Sequence, residues 1–436
     1  MKIFKFGGGI LTDYKSIKQL SVIVKENNPS VVVVSAMNNT TKNLENIFEK
    51  VLHGKSYNDQ LDSIFDFYRN ISYKLSIEKS VATILDLYQN NLSLALKSYT
   101  NIVNRDLFYS STVSWGELIT SQIVYHYLLS EGVQCDCIDV RECIKTAVSP
   151  CNASVCWDIT KKLVNEKFLP IMEQKKIIIT QGFIASDKYN NTTTLGREGS
   201  DFTGAILSNT LSANSLTIWK DVPGIMNADP KIFCNRSFKC DRLSYKTVSE
   251  MIFYGTKAIH HNTIKPLATS NIPLYVKQFS HPEKDGTLVT NEATNLDVPI
   301  LILDQNQWLI TLSINNYDLF NATHLRDVIC KLELYYIRSK VIFLHSSSIS
   351  LCVQYDLSYN DKLNLLLNDF NEGFEVHVKT DITLLTEILP DGVYEYTMPY
   401  SEKFIMSQHE QGYYHAVIDK NTSDELIEAL KKNSPN

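Results

Sequence analysis

Apolar residues in the first two thirds of the chain follow two alternating patterns. Short uninterrupted runs occur at Lys2–Phe6, Val31–Ser35, Lys176–Thr180, Leu216–Trp219 and Pro273–Val276. They lack the every-other-residue polarity of a half-solvated strand and predict strands buried on both faces. Between them, apolar residues return at every fourth position, as in Ser114–Leu129, where Trp115, Ile119, Ile123 and Tyr127 recur on one helical face. Strand and helix in alternation predict an α/β fold, a three-layer arrangement with a mainly parallel central sheet. Residues 56–110 contain neither glycine nor proline and predict a helical excursion from that sheet.

Beyond Gly286-Thr287 the pattern changes. Short strands (Leu309–Ile314, Lys340–Leu344, Ile349–Tyr355, Tyr413–Ile418) alternate with single helices (Leu325–Leu334, Asp361–Asp369, Asp424–Lys432). The expected organisation is one domain over residues 1–290 and an α+β tail over 291–436. Thirteen of the 16 glycines precede residue 290, placed mostly at strand-to-helix turns, where ligands bind in such sheets.

Composition narrows the function. With 44% hydrophobic and 21% charged residues over 436 positions, the chain can bury large cores. A net charge of −6 gives no bulk attraction for nucleic acid. No apolar run reaches the roughly 18 residues of a membrane span, and the N-terminus turns to glycine before a signal-peptide core forms. Nine scattered cysteines suit reduced thiols in a cytoplasm. Cys135 and Cys137 form a CxC pair that reads as small buried hydrophobes on a strand rather than as a metal site.

Three clusters bear chemistry. Gly7-Gly8-Gly9 follows a strand; backbone amides approach a phosphate closely where side chains are absent, and a following helix N-terminus would add positive charge. Three glycines also make an ordinary tight turn. Lys5, just before them, is more telling, because an ammonium inside an apolar strand end needs an anion. The second cluster is Thr192–Asp201, in which Arg197 lies between Gly196 and Gly199 ahead of the helix Phe202–Leu211. Ser200 and Asp201 are capping types, but the arginine offers a bidentate fork to a carboxylate. The third, Trp219-Lys220-Asp221-Val222-Pro223-Gly224-Ile225, ends a strand in a carboxylate and a turn. No Ser/His/Asp triad or Cys/His pair can be assembled.

In order, these clusters resemble the aspartate kinases of the amino-acid kinase superfamily. The resemblance spans Lys2 to Val289 through KFGGG (Lys5–Gly9), VVVVSAMNNTTKNL (Val31–Leu44), SWGEL (Ser114–Leu118), Gly182-Phe183, TTTLGREGSD (Thr192–Asp201), WKDVPGI (Trp219–Ile225), GTKAIH (Gly255–His260), NIPLYVK (Asn271–Lys277) and DGTLV (Asp285–Val289). It implies transfer of the γ-phosphoryl group of ATP, with Mg²⁺, to the side-chain carboxylate of L-aspartate, the entry to lysine, threonine and methionine synthesis. Lys5 and Asp201 would be catalytic, Asp201 orienting Lys5. Arg197 and Ser200, with Thr41 and Phe183 near, would hold a substrate carboxylate, and Glu117 the substrate ammonium. Gly7, Gly8, Ser35, Lys220, Asp221, Lys231 and Lys257, with Lys5, would meet the nucleotide. No protein metal ligand is evident.

Departures fall on the nucleotide side. Gly9-Ile10 stands where hydroxyl side chains are usual, Lys220 replaces a threonine, Met226 a tyrosine and Lys231 an arginine, and His261 replaces a proline. They leave open a weakened paralogue that binds a nucleotide or amino acid as a regulator; a kinase acting on glutamate is the other alternative.

The tail resembles tandem ACT modules. The first is expected over about 304–370, the second over 371–436 with a strand near 299–303 and a degenerate helix. The resemblance implies a homodimer through this region. The stretch Asn315–Asn321 has no glycine turn and Pro390–Lys403 is short for a full helix, so feedback sensing is expected to be weakened or lost.

Overall fold

The computed structural model describes residues 1–99, 104–233, 237–292, 296, 298–314, 318–355, 360–390, 401–410 and 412–432, with side chains to 428. They form two compact units. The first comprises Met1–Ile225, Asp241–Tyr245 and Ile259–Glu292, the second Met226–Cys240, Lys246–Ala258 and Ala293–Asn436.

In chain order the first part runs β1 (Lys2–Phe6), α1 (Tyr14–Asn27), β2 (Val31–Val34), α2 (Thr40–Leu52), α3 (Asn58–Lys74), α4 (Glu78–Lys97), α5 (Arg105–Val113), α6 (Trp115–Ser130) and β3 (Cys135–Ile138). It continues through α7 (Trp157–Glu173), β4 (Ile177–Gln181), β5 (Ile184–Ser186), β6 (Thr192–Thr194), α8 (Gly199–Thr210), β7 (Ser215–Lys220), β8 (Arg242–Ser244), α9 (Tyr245–Tyr254), α10 (His261–Thr269), β9 (Leu274–Gln278) and β10 (Thr287–Thr290). The central sheet has eight strands in the order β3-β4-β2-β1-β7-β9-β10-β8, and only the β9/β10 pair is antiparallel. The apolar runs are strands because both faces are covered: Val31–Val34 is buried throughout. The CxC pair lies on β3, where burial pushes both thiols up to about 12.

Strand β1 is the centre of the sheet, with Lys5 opposite Val33 of β2 and Ile218 of β7. Its side chains alternate: Phe4 and Phe6 join the core built with α1 and α6, whereas Lys5 lies under α8, close to Gly204. The chain passes from β1 to one side of the sheet and returns at β7 on the other. That makes the carboxyl end of β1 a topological switch point, where open α/β sheets leave a crevice.

The excursion forms α3 and α4, and it braces the loop after β2. Tyr68 is fully buried, its hydroxyl 3.1 Å from Thr40 Oγ1 and 3.0 Å from Thr120 Oγ1. Thr120 Oγ1 also accepts the Met37 amide at 3.2 Å. One expectation is corrected. The glycine turn does not open a helix: Ile10 and Leu11 donate to Gly7 O at 3.2 and 3.3 Å, and α1 begins only at Tyr14, capped by Asp13. The helix N-terminus beside the glycines is that of α8.

The second unit holds β11 (Ile300–Ser313), α11 (Ala322–Leu334), β12 (Ser339–Leu344), β13 (Ser348–Gln354), α12 (Asn360–Asn371), β14 (Glu375–Ile388), β15 (Met406–Glu410), β16 (Tyr413–Asp419) and α13 (Lys420–Lys432). They make an antiparallel six-stranded sheet, β12-β13-β11-β14-β16-β15, with α11 and α12 packed on β11 and β13. This is the α+β arrangement of ACT modules. The strands expected at 299–303 and 309–314 are one strand: β11 pairs along β14 with a break in register between Asp304 and Gln307. The boundary near residue 290 is crossed by two earlier segments. Asn227 ties Met226–Cys240 into the second unit through its carbonyl, which accepts the Leu301 amide at 2.7 Å, and its side chain, which donates to Pro299 O at 3.1 Å. Lys246–Ala258 joins it through Tyr254, whose ring lies 4.8 Å from that of His415 at an interplanar angle of 45°. The expectation of weak sensing rests on Asn315–Asn321 and Pro390–Lys403, of which residues 315–317 and 391–400 lie outside the described residues.

Candidate active site

Four strand ends of the first unit, β1, β2, β4 and β7, open with the N-terminus of α8 into a cavity of about 620 Å³. Lys5, Gly7, Gly8, Ser35, Thr41, Glu117, Phe183, Arg197, Ser200, Asp201, Lys220 and Asp221 all line it. Twelve positions picked from six separate stretches of sequence thus meet in one place. Lys231 and Lys257 lie in the second unit, both exposed.

Close approach of backbone shapes the walls. A Cβ on Gly8 would sit 2.6 Å from Ala36 O, and one on Gly182 2.5 Å from Ser200 Cβ, so the β1 turn lies against the β2 loop and α8 against the end of β4. Phe183 carries φ +70°, unusual for a bulky side chain. Its amide donates to Thr203 Oγ1 at 3.0 Å, which fixes the aromatic ring's backbone to α8.

The charges are arranged in two groups. At the strand ends, Asp201 is 2% exposed and pairs through Oδ1 with Lys5 and through Oδ2 with Lys220, the latter at 3.2 Å. Burial alone would raise the Asp201 carboxyl, but the two ammoniums hold it below the usual range. On the other side, Glu117 is 3% exposed. Its Oε1 accepts the Ala36 amide at 3.3 Å, while Oε2 has no hydrogen-bond partner among the described residues. Burial pushes the carboxyl up to about 8, against the opposing pull of the Ala36 amide and Lys5. Arg197 lines the same cavity and makes no ion pair among the described residues.

The site therefore offers an unpaired guanidinium, a buried carboxylate with one open oxygen, and two lysines sharing one aspartate at a helix N-terminus. That set fits a small zwitterion beside a polyanion.

The cavity also includes residues missed in the sequence. Glu45 lies one helical turn after Thr41, a spacing that could have found it; it accepts from the Tyr109 hydroxyl at 2.7 Å. Asn152 is packed against Gly196, where a Cβ would meet its side-chain oxygen at 1.9 Å. Glu198 follows Arg197 directly, and its carboxylate lies 4.0 Å from the Lys220 ammonium. Nothing in the local sequence marks Tyr109, Cys151 or Asn152.

Residues 1–278 match the amino acid kinase family. The lysine-sensitive aspartokinase 3 of Escherichia coli (strain K12) is 30% identical over 312 residues, 71% of this chain and 69% of that protein. The chloroplastic bifunctional aspartokinase/homoserine dehydrogenase 2 of Arabidopsis thaliana is 29% identical over 298 residues, 66% of this chain but 32% of that longer one. The crystal structure of E. coli aspartokinase III in complex with aspartate and ADP (R-state) superposes with a TM-score of 0.83 at 26% identity, covering 98% of both chains.

Proposed function

The chain belongs to the amino acid kinase family, on its aspartokinase branch, and from that premise we propose that this cavity transfers the γ-phosphoryl group of ATP to the side-chain carboxylate of L-aspartate. The products are ADP and 4-phospho-L-aspartate. The observation that carries the reading is the pairing of opposites left open in one cavity: Arg197 without an anion and Glu117 Oε2 without a donor. Together with Ser200, Thr41 and Phe183 they hold the α-carboxylate and ammonium, which leaves the side-chain carboxylate to face Lys5.

The nucleophile needs no general base, because an aspartate side chain with a reference pKa of about 3.9 is ionised at pH 7. The difficulty is bringing one anion to another. Lys5, Lys220 and the α8 amides meet it by fixed positive charge. Gly7, Gly8 and Ser35 give the phosphates backbone access, and Asp221 completes the nucleotide contacts of this cavity in this reading. Among the described residues no group of three or more metal-type side chains is clustered, and Asp201 is taken by two lysines. Mg²⁺ would then be bound chiefly by the nucleotide's phosphates and water, and would add charge neutralisation.

ADP release should require Mg²⁺ and be at least tenfold faster with aspartate than with glutamate, whose extra methylene displaces the reacting carboxylate from Lys5. A coupled assay measures both; equal rates, or no rate with either acid, would defeat the assignment.

The tail is read as an assembly region whose feedback sensing is weakened or lost. The edges of its sheet are β12 and β15, and a homodimer paired isologously through this unit is the assembly we place here. No helix among the described residues is long and apolar enough to cross a membrane; we place the enzyme in the cytoplasm. Light scattering should give twice the 49.7 kDa chain mass. Lysine or threonine at 1 mM, roughly a thousand times a micromolar site's Kd, should leave aspartate turnover within about twofold. A monomer would refute the first half of this reading, and strong inhibition the second.

A further inference from the structure

Lys220 ends β7 inside the cavity, and its surroundings are more specific than a general nucleotide contact requires. Its ammonium takes Asp201 Oδ2 at 3.2 Å while Lys5 takes Oδ1 of the same carboxylate. Two cations therefore flank one point, next to the first turn of α8. A third group stands nearby: Glu198 Oε2, buried and without a hydrogen-bond partner among the described residues, lies at an ion-pair separation of 4.0 Å from Lys220.

Glu198 is an unexpected residue at its position. It is the residue preceding α8, with φ +52° in the left-handed region, and its side chain caps no amide of that helix. Only glycine adopts this conformation freely, and asparagine or aspartate tolerate it better than glutamate. A carboxylate at a helix N-terminus is favourable by itself, but that benefit does not require the side chain to reach across to β7. Lys5 and Lys220 are both held on Asp201 before any ligand enters. An incoming phosphoryl group thus meets two ammoniums that are already positioned and need not be gathered from solvent.

We propose that Lys220 is a second catalytic cation on the transferring phosphoryl group, opposite Lys5 across Asp201, and that Glu198 is the positioning residue that holds it there. The inference rests on the phosphotransfer reading above. In the step, a lone pair on the acceptor carboxylate oxygen forms the new O–P bond. The P–O bond to the β-phosphate breaks with its pair leaving on ADP, and no proton moves. Both lysines stay protonated and offset charge on the three equatorial oxygens as the two anions close.

The test combines steady-state kinetics with calorimetric binding of Mg·ADP and of a non-hydrolysable Mg·ATP analogue. Lys220→Thr should lower kcat by at least tenfold. It should weaken the analogue about tenfold but ADP by less than threefold, since only the analogue carries the γ-phosphoryl group. Lys220→Arg, which keeps the charge, should recover part of kcat. Glu198→Gln should lower kcat by about three- to tenfold in the wild-type background and by less than twofold on top of Lys220→Thr, because a positioning residue has nothing left to position. Several outcomes overturn the proposal: kcat of Lys220→Thr within twofold of wild type; equal weakening of ADP and the analogue; or recovery of kcat when Glu198→Gln is added to Lys220→Thr. The last would mean that Lys220 only neutralises Glu198. The binding arms do not involve aspartate, so they decide the role of Lys220 even if wild-type enzyme proves to use another acceptor.

Discussion

Lys5→Ala should lower turnover roughly 10²- to 10³-fold and, at a pH where Glu117 is ionised in both enzymes, leave the KM for aspartate within about threefold of wild type. Lys5 is only 6% exposed and sits at the carboxyl end of the sheet's central strand, held between β2 and β7. Its ammonium is fixed by Asp201, so in the proposed reaction it would supply charge to the reacting phosphoryl oxygens without reorganisation. We place the aspartate α-carboxylate and ammonium elsewhere, on Arg197 and Glu117, so kcat rather than KM should carry the loss. Folding should survive, because Asp201 keeps Lys220 as a partner at 3.2 Å. Asp201→Ala differs: it leaves two buried ammoniums without their shared anion. Removing one partner of a buried ion pair costs about 3–5 kcal/mol, so this variant should lose thermal stability as well as activity. Thermal melts beside the coupled assay distinguish the two. A Lys5→Ala enzyme with turnover within twofold of wild type would remove Lys5 from the phosphoryl site.

Why the site was legible while parts of the fold were not follows from the range of the interactions involved. Strands β1, β2, β4, β7 and β9 are visible because a central parallel strand is apolar on both faces and is bounded by turn residues. The cavity lies at their carboxyl ends, where the glycine turn at Gly7 and the carboxylate of Asp221 stand out in the sequence, whereas Ser35 and Phe183 are reached only through the resemblance to aspartate kinases. Strand β11 was read as two pieces because Asp304-Gln305-Asn306-Gln307 resembles a loop. In the structure those residues form an irregularity within one strand, Asn306 taking φ +59°, and sheet pairing on either side carries the chain through. Strand β14 was similarly obscured by its polar first half, Glu375–Asp381, which is largely exposed. Membership of Met226–Cys240 in the second unit depends on Asn227 meeting residues more than 70 positions away, a relation no local pattern records. The same holds for Glu198 and Lys220, on different elements 22 positions apart. Lys220 stands out in the sequence as a nucleotide-side departure and Glu198 not at all, and only their 4.0 Å approach relates the two.

Aspartate binding should tighten about tenfold per pH unit between pH 6 and 8 and level off above, because Glu117 must ionise to receive the substrate ammonium. In the unliganded protein its carboxyl is pushed up to about 8, burial being the main cause. Below that value, forming the carboxylate costs about 1.4 kcal/mol per pH unit, drawn from the binding energy. Each aspartate bound at pH 7 should therefore release close to one proton, measurable by calorimetry in buffers of different ionisation enthalpy. Glu117→Gln should raise KM and make it flat with pH. Stability provides an independent check with a defined sign. The folded protein keeps the Glu117 proton up to about pH 8, whereas the unfolded chain loses it near 4.5. Between these values the folded state binds more protons, so stability falls as pH rises through the window. Below 4.5 the contribution of Glu117 is constant, and Glu117→Gln, which never ionises, should gain on wild type progressively from pH 5 to 8. Lys5 is the cation acting on Glu117, and it opposes the shift rather than causing it. In Lys5→Ala the carboxyl should therefore rise further, moving the midpoint of the aspartate pH profile upward. A pH-independent KM with no proton release would show that Glu117 does not receive the ammonium, whatever acid the enzyme phosphorylates.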